Sequence, residues 1–157
     1  MKLLEKPILI VQLIFFLFSS VIALSQGINQ IDAQGRKQGV WRKSYENGQI
    51  RYEGNFQNDQ PVGEFRHYHP NGKLKAIIIH TGDGHSSAAE FYNENEILMA
   101  RGFFYDEWKD KTWEYFNQKN GKLISIENYQ QGIPHGEWIV YYKEDTVVSE
   151  NFTYDHG

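Results

Sequence analysis

The chain has 157 residues, room for one domain, and a formal net charge of −4 with no long run of Lys or Arg, which disfavours a nucleic-acid binder that works by neutralising phosphates. It contains no Cys, so disulfide staples, thiolate zinc sites and cysteine nucleophiles are excluded. With 10 Phe, 10 Tyr, 4 Trp and 14 Gly, the composition is too aromatic for a disordered chain and points to β-structure with many turns.

The N-terminus reads as a targeting segment. Lys2 and Lys6 form a short basic region around Glu5, and residues 7–24 hold only Gln12, Ser19 and Ser20 as polar side chains. Ala23-Leu24-Ser25 then offers the small residues that a signal peptidase accepts. Residues 1–25 are therefore expected to be a helical signal peptide. An uncleaved membrane anchor over 7–24 is the alternative, because about 20 apolar residues span a bilayer. Export to the periplasm or cell surface follows, with membrane contact only through this segment if it is retained. Residues 26–38 form a lead-in to a repeat domain over 39–157.

That domain is written with a period near 24. Gly39-Val40-Trp41 is echoed by Gly63-Glu64-Phe65, a degenerate unit at Ser87, Lys111-Thr112-Trp113 and Gly136-Glu137-Trp138, so units start near 39, 63, 87, 111 and 136. Tyr68, Tyr92, Phe116 and Tyr141 recur five residues after a start, and Phe56, Phe104 and Tyr129 in the second half of their units. Asn47-Gly48 and Asn71-Gly72 are strong hairpin signals, and a type I′ turn at each fixes a register. Tyr45 would then face Ile50, Lys43 Tyr52 and Arg42 Glu53; in the second hairpin His69 would face Leu74 and Phe65 Ile78. Glu144-Asp145 would turn the last hairpin and pair Tyr142 with Val147. Since one hairpin is marginal in water, the units must stack to close a core. The expected fold is all-β, an elongated antiparallel meander of stacked hairpins with no helix after residue 25. Ile79–Glu90, polar and Gly-rich, is expected to be a longer loop or to pair weakly.

The motifs Gly63–Lys75 (GEFRHYHPNGKLK) and Gly132–Tyr142 (GIPHGEWIVYY), with the approach Asp32–Trp41 (DAQGRKQGVW), resemble the MORN-repeat variant found in bacterial YwqK-type antitoxins. Ser87 and Asn95-Glu96 depart from that pattern. The resemblance implies a repeat scaffold or binding surface, and the antitoxin relation implies neutralisation of a partner by binding.

No catalytic constellation is visible. His67 and His69 share a strand without a third ligand at telling spacing. His80 and His85 flank Asp83 in a turn-like stretch, Ser86-Ser87 near His85 lacks a nucleophile elbow, and Asp106-Glu107 sits at a unit boundary. No cofactor or metal is called for. The candidate binding face is aromatic: Trp41, Phe65, Tyr68, Tyr92, Trp113, Phe116, Trp138 and Tyr141, able to clasp a peptide or stack on a sugar. Arg42, Arg51 and Arg66 with Glu53 and Glu64 would form a charged outer face. The last strand, about Ser149–Tyr154, would be an open edge suited to self-association or partner capture. The function expected is a non-catalytic exported scaffold for an unidentified protein partner. The alternatives are an antitoxin-like neutraliser and a glycan-binding module.

Overall fold

The computed structural model describes residues 27–142 and 147–155. The expected signal helix over 1–25 and the turn at Glu144-Asp145 lie outside the described residues. Within them the chain forms strands and turns and no helix. The strands are β1 (Gln30–Ile31), β2 (Lys37–Ser44), β3 (Ile50–Gln57), β4 (Gln60–Tyr68), β5 (Leu74–His80) and β6 (Ser86–Tyr92). They continue as β7 (Leu98–Tyr105), β8 (Trp108–Phe116), β9 (Leu123–Gln130), β10 (Ile133–Pro134), β11 (Gly136–Tyr141) and β12 (Val148–Tyr154). All join one sheet in chain order, antiparallel throughout, with β10 pairing β9 alone. The antiparallel meander read from the repeat is the architecture of the described residues.

The hairpin turns differ from the expected type. Gly48 N–H donates to Tyr45 O at 3.0 Å, and Tyr45 N–H to Gln49 O at 2.8 Å. Gly48 takes a φ of 82° while Asn47 stays at negative φ. This is a type I turn closed by a left-handed glycine, the three-residue hairpin loop, rather than type I′. Asn47 favours it by accepting the Gln49 N–H on Oδ1 at 3.1 Å. The extra residue shifts the register beside the turn: Ser44, not Tyr45, faces Ile50, and Tyr68, not His69, faces Leu74. Farther along the strands the expected pairs Lys43–Tyr52, Arg42–Glu53 and Phe65–Ile78 are present. The third unit makes the same turn despite lacking glycine, with Glu96 at a φ of 62° and its N–H on Asn93 O. In the last hairpin Tyr142 N–H donates to Val147 O at 3.1 Å, the pairing expected there.

Type I′ geometry appears at the opposite rim, between units. Asn58-Asp59 and Gln131-Gly132 each carry positive φ at both positions. The weak pairing expected for Ile79–Glu90 is confined to Thr81–His85, because β5 and β6 pair continuously from His80–Ser87 to Ala76–Phe91. Asp83 organises that loop: its Oδ1 accepts the Thr81 hydroxyl and the N–H groups of His85 and Ser86.

The core lies on one face of the sheet. Phe65 is 5% exposed and Trp113 2%, with Ala76, Ala89 and Ala100 buried between them. Each unit's opening aromatic meets the preceding unit's late ring: Phe56–Phe65 at 5.1 Å, Phe104–Trp113 at 4.9 Å, Tyr129–Trp138 at 5.2 Å between centroids. Two of these rings lie over glycine. A Cβ at Gly54 or Gly102 would come closer than 3.0 Å to the Phe65 or Trp113 ring, so only glycine admits that packing. In the third unit the sizes invert: Ala89 takes the aromatic position and faces Ile78, where the Phe65 and Trp113 units have glycine.

Candidate functional site

The eight aromatic candidates divide between the two faces of the sheet. Trp41, Phe65, Trp113 and Trp138 lie on the core face. Three Trp indoles there donate to backbone carbonyls one strand back: Trp41 to Gln30 O, Trp113 to Phe103 O and Trp138 to Asn128 O. Tyr68, Tyr92 and Phe116 follow three residues after their units' opening aromatic position, an odd step that turns them to the other face. The Tyr68 hydroxyl donates to Glu53 at 2.8 Å, Tyr92 to Glu90 at 2.5 Å, and Arg101 stacks over Phe116 at 5.6 Å. Tyr141 stands at the same step from Trp138.

The core face carries a cation of its own. Lys109 Nζ sits 4.9–5.3 Å from the ring centres of Tyr129, Tyr115 and Trp113, and donates to the Tyr115 hydroxyl at 2.5 Å. Lys37 sits likewise over Trp41 and Phe56. Burial first, then the bond to Glu127, pushes the Tyr129 hydroxyl far above the ordinary tyrosine range. That hydroxyl stays protonated at any physiological pH.

The opposite face is organised by a ladder of directly facing residues. Reading across from β2, Arg42 faces Glu53, Glu53 faces Arg66, and Arg66 faces Ile77. Ile77 faces Glu90, Glu90 faces Arg101, and Arg101 faces Glu114. Directly opposed residues in antiparallel pairs share a face, so these seven side chains form one row. Arg42 holds Glu53 at 2.9 Å, Arg66 holds Glu64 at 2.5 Å, and Arg101 pairs with Glu114. The Glu53 carboxyl titrates below its ordinary value, through the Tyr68 hydroxyl first and Arg42 second. Burial first, then Glu90, pushes the Tyr92 hydroxyl up to about 12.

An open groove of about 460 Å³ crosses the middle of this face. Its apolar lining comes from Ile77, Ile79, Ala88 and Phe103, and its rim from Glu64, Glu90, Arg101 and Glu114. Ile79 is 48% exposed and Phe103 45%. The Arg–Glu part of this face was legible in the sequence, whereas the apolar strip was not. Ile77 and Ile79 carried the only signal, an isoleucine run entering a segment read as a loop.

The remaining candidates do not converge on a reaction. His67 lies beside Tyr52, and burial first, then Lys75, lowers its affinity for a proton. His69 Nε2 bonds to Tyr92 O at 2.9 Å in the next unit. His85 Nδ1 meets Asp106 rather than the Asp83 side chain, at 2.7 Å, and that bond raises its pKa. Ser87 is buried on the core face opposite His80. Among the described residues no cluster of His, Asp and Glu could hold a metal ion. Nor do the described residues include any helix long and apolar enough to cross a membrane.

No curated protein matches the chain. The sequence model of the family described as MORN repeat variant matches residues 37–58 and 61–80, so the β2–β3 and β4–β5 hairpins are similar to MORN repeats.

Proposed function

We propose that the protein is a non-catalytic, exported binding scaffold whose working surface is the groove on the ladder face. The observation that carries the proposal is the groove itself: Ile79 and Phe103 stand about half exposed in the middle of a charged sheet face. Exposed apolar strips rimmed by polar residues are where proteins take up partners. The match to MORN repeats supports a binding role, since repeats of this kind generally serve as surfaces for other molecules rather than as catalytic sites. The basic and apolar leader supports export. Antitoxin-like neutralisation of a partner would be a special case of the same surface at work. The partly exposed Trp41 and Trp138 on the core face leave room for a second, glycan-stacking contact.

Two measurements test this. The full chain, tagged, should fractionate with the periplasm or envelope; recovery in the cytosol with the leader intact would refute export. Crosslinkers placed at Phe103 in the native envelope should trap a protein adduct that Ile79→Arg abolishes. Adducts insensitive to Ile79→Arg would refute the groove as the working surface.

A further inference from the structure

The ladder has a symmetry that its sequence order hides. Centred on Ile77 of β5, the three residues on one side are Arg66, Glu53 and Arg42, and the three on the other are Glu90, Arg101 and Glu114. Every position is matched, at the same distance from Ile77, by its opposite charge. At about 4.8 Å per strand the row is about 29 Å long, and it inverts sign through its apolar middle.

A surface of this kind is complementary to itself. Consider a two-fold axis lying between two copies and running parallel to β5. It lays the ladder face of one copy on that of the other and preserves strand direction. Each strand then meets the strand equally far from β5 on the opposite side. Arg66 comes over the second copy's Glu90, Glu53 over its Arg101 and Arg42 over its Glu114, each contact occurring twice as an isologous interface requires. On the axis Ile77 meets Ile77 and Ile79 meets Ile79, so the groove fills with the same apolar strip from the other copy. Two sheets packed in this way sit about 10 Å apart, the spacing that interleaved side chains fill.

We propose that the ladder face is a homodimer interface and that the occupant of the groove is a second copy of this chain. This rests on reading the groove as the working surface and identifies what fills it. The apolar strip supplies affinity. The charges act mainly on selection, because all but Glu90 are already ion-paired within their own copy and gain little net energy from a second partner. Their antisymmetry selects this register against sliding by one strand, which would set like charges face to face. The remaining carboxylate of the row, Glu90, has the Tyr92 hydroxyl as its hydrogen-bond partner and Arg101 opposite it. It is therefore well placed to accept Arg66 of the second copy.

The test is a charge-swap mixture read by sedimentation velocity and native mass spectrometry on the full chain. Wild type should be a dimer. Arg66→Glu sets Glu against Glu90 of the other copy, and Glu90→Arg sets Arg against Arg66, so each variant alone should dissociate at least about tenfold more readily. Mixed in equal amounts, the two variants should form a heterodimer of near wild-type affinity, because both inter-copy contacts become attractive. A folding defect cannot produce that rescue, and circular dichroism checks each variant. Association through the leader would be equal in all samples and insensitive to the mixture. A monomeric wild type, or a mixture no more dimeric than its components, overturns the proposal. If the wild type is monomeric while the Phe103 adduct still depends on Ile79, the groove remains a binding surface and only its occupant changes.

Discussion

Gly39, Gly63 and Gly136 open their units at φ of 66–67°, and Lys111 opens its unit at 58°. A left-handed conformation costs a side-chain-bearing residue roughly 1–2 kcal/mol, offset in part by the greater unfolded-chain entropy of glycine. Lys111→Gly should therefore raise stability by about 1 kcal/mol. Gly63→Ala should lower it by a similar amount, and steric crowding adds nothing because a Cβ there meets no atom within 4 Å. Urea titration of both variants checks the pair; equal signs would mean that the shared φ does not govern these positions. His80 makes a pH-dependent case. Its ring packs edge-on against Phe65 at 5.3 Å, and burial lowers its pKa below the ordinary 6.5. The folded state then binds protons less readily than the unfolded chain. The contribution is whole above about 6.5 and is lost as pH falls through the lower folded value. Phe56 and Phe104 fill this unit position elsewhere, so His80→Phe should flatten the decline in stability between neutral and mildly acid pH. His67 carries the same sign and will remain in the variant as a residual slope. His85 carries the opposite sign, but it is exposed and contributes little.

At the level of hairpins, what repeats is a fit between units rather than a list of residues. Phe65 and Trp113 need the missing side chains of Gly54 and Gly102, while Ala89 needs the bulk of Ile78. Gly102→Ala should cost about 2–3 kcal/mol by overpacking the buried Trp113, measured by thermal melts. A loss below 0.5 kcal/mol would show that the indole can move aside. This compensation also shows which parts of the structure could be read in advance. The 24-residue grid was legible because turn and ring positions recur in the chain. The third unit looked broken because Ser87, Ala89 and Glu96 each break the pattern, yet Ile78 and the left-handed Glu96 restore the same geometry. The family match likewise ends at residue 80, just before those departures. The turn type was misread because Asn-Gly suits two loops, and only the backbone bonds at Tyr45 distinguish them. The division of the eight aromatics between faces was within reach: Phe65 and Tyr68 are an odd number of residues apart. The charge ladder was legible only at its start, Arg42–Glu53; its continuation was not, because the register there depends on bulges near Glu53 and Arg101 that no local sequence signal marks.

Over the whole molecule, each strand hydrogen-bonds to its neighbours in sequence, except that β11 passes over β10 to pair β9, so stability should be a sum of local interfaces. The two ends of the sheet are not alike. On the β2 side, Asn29 N–H donates to Val40 O and its Oδ1 accepts the Arg42 N–H, both at 2.8 Å, covering the edge beyond the short β1. On the β12 side, β11 joins β9 directly only through Ile139–Ile126 and Val140–Ser125, with β10 and its Pro134 interposed. A proline cannot donate to the ladder, so this interface leans on side chains. The Tyr129–Trp138 contact and the Trp138 indole bond to Asn128 O are the principal ones. The β11–β12 hairpin should therefore open as a unit well below the global unfolding free energy, and amide exchange should show it. Trp138→Ala should remove about 3 kcal/mol of protection from β11 and β12 while leaving β4–β7 unchanged. Trp113→Ala, which breaks the buried middle of the core, should lower protection most in β6–β8, whose Phe91, Phe104 and Tyr115 rings it touches. If Trp138→Ala instead lowers protection evenly from β2 to β12, the sheet is a single cooperative unit and the nearest-neighbour description fails.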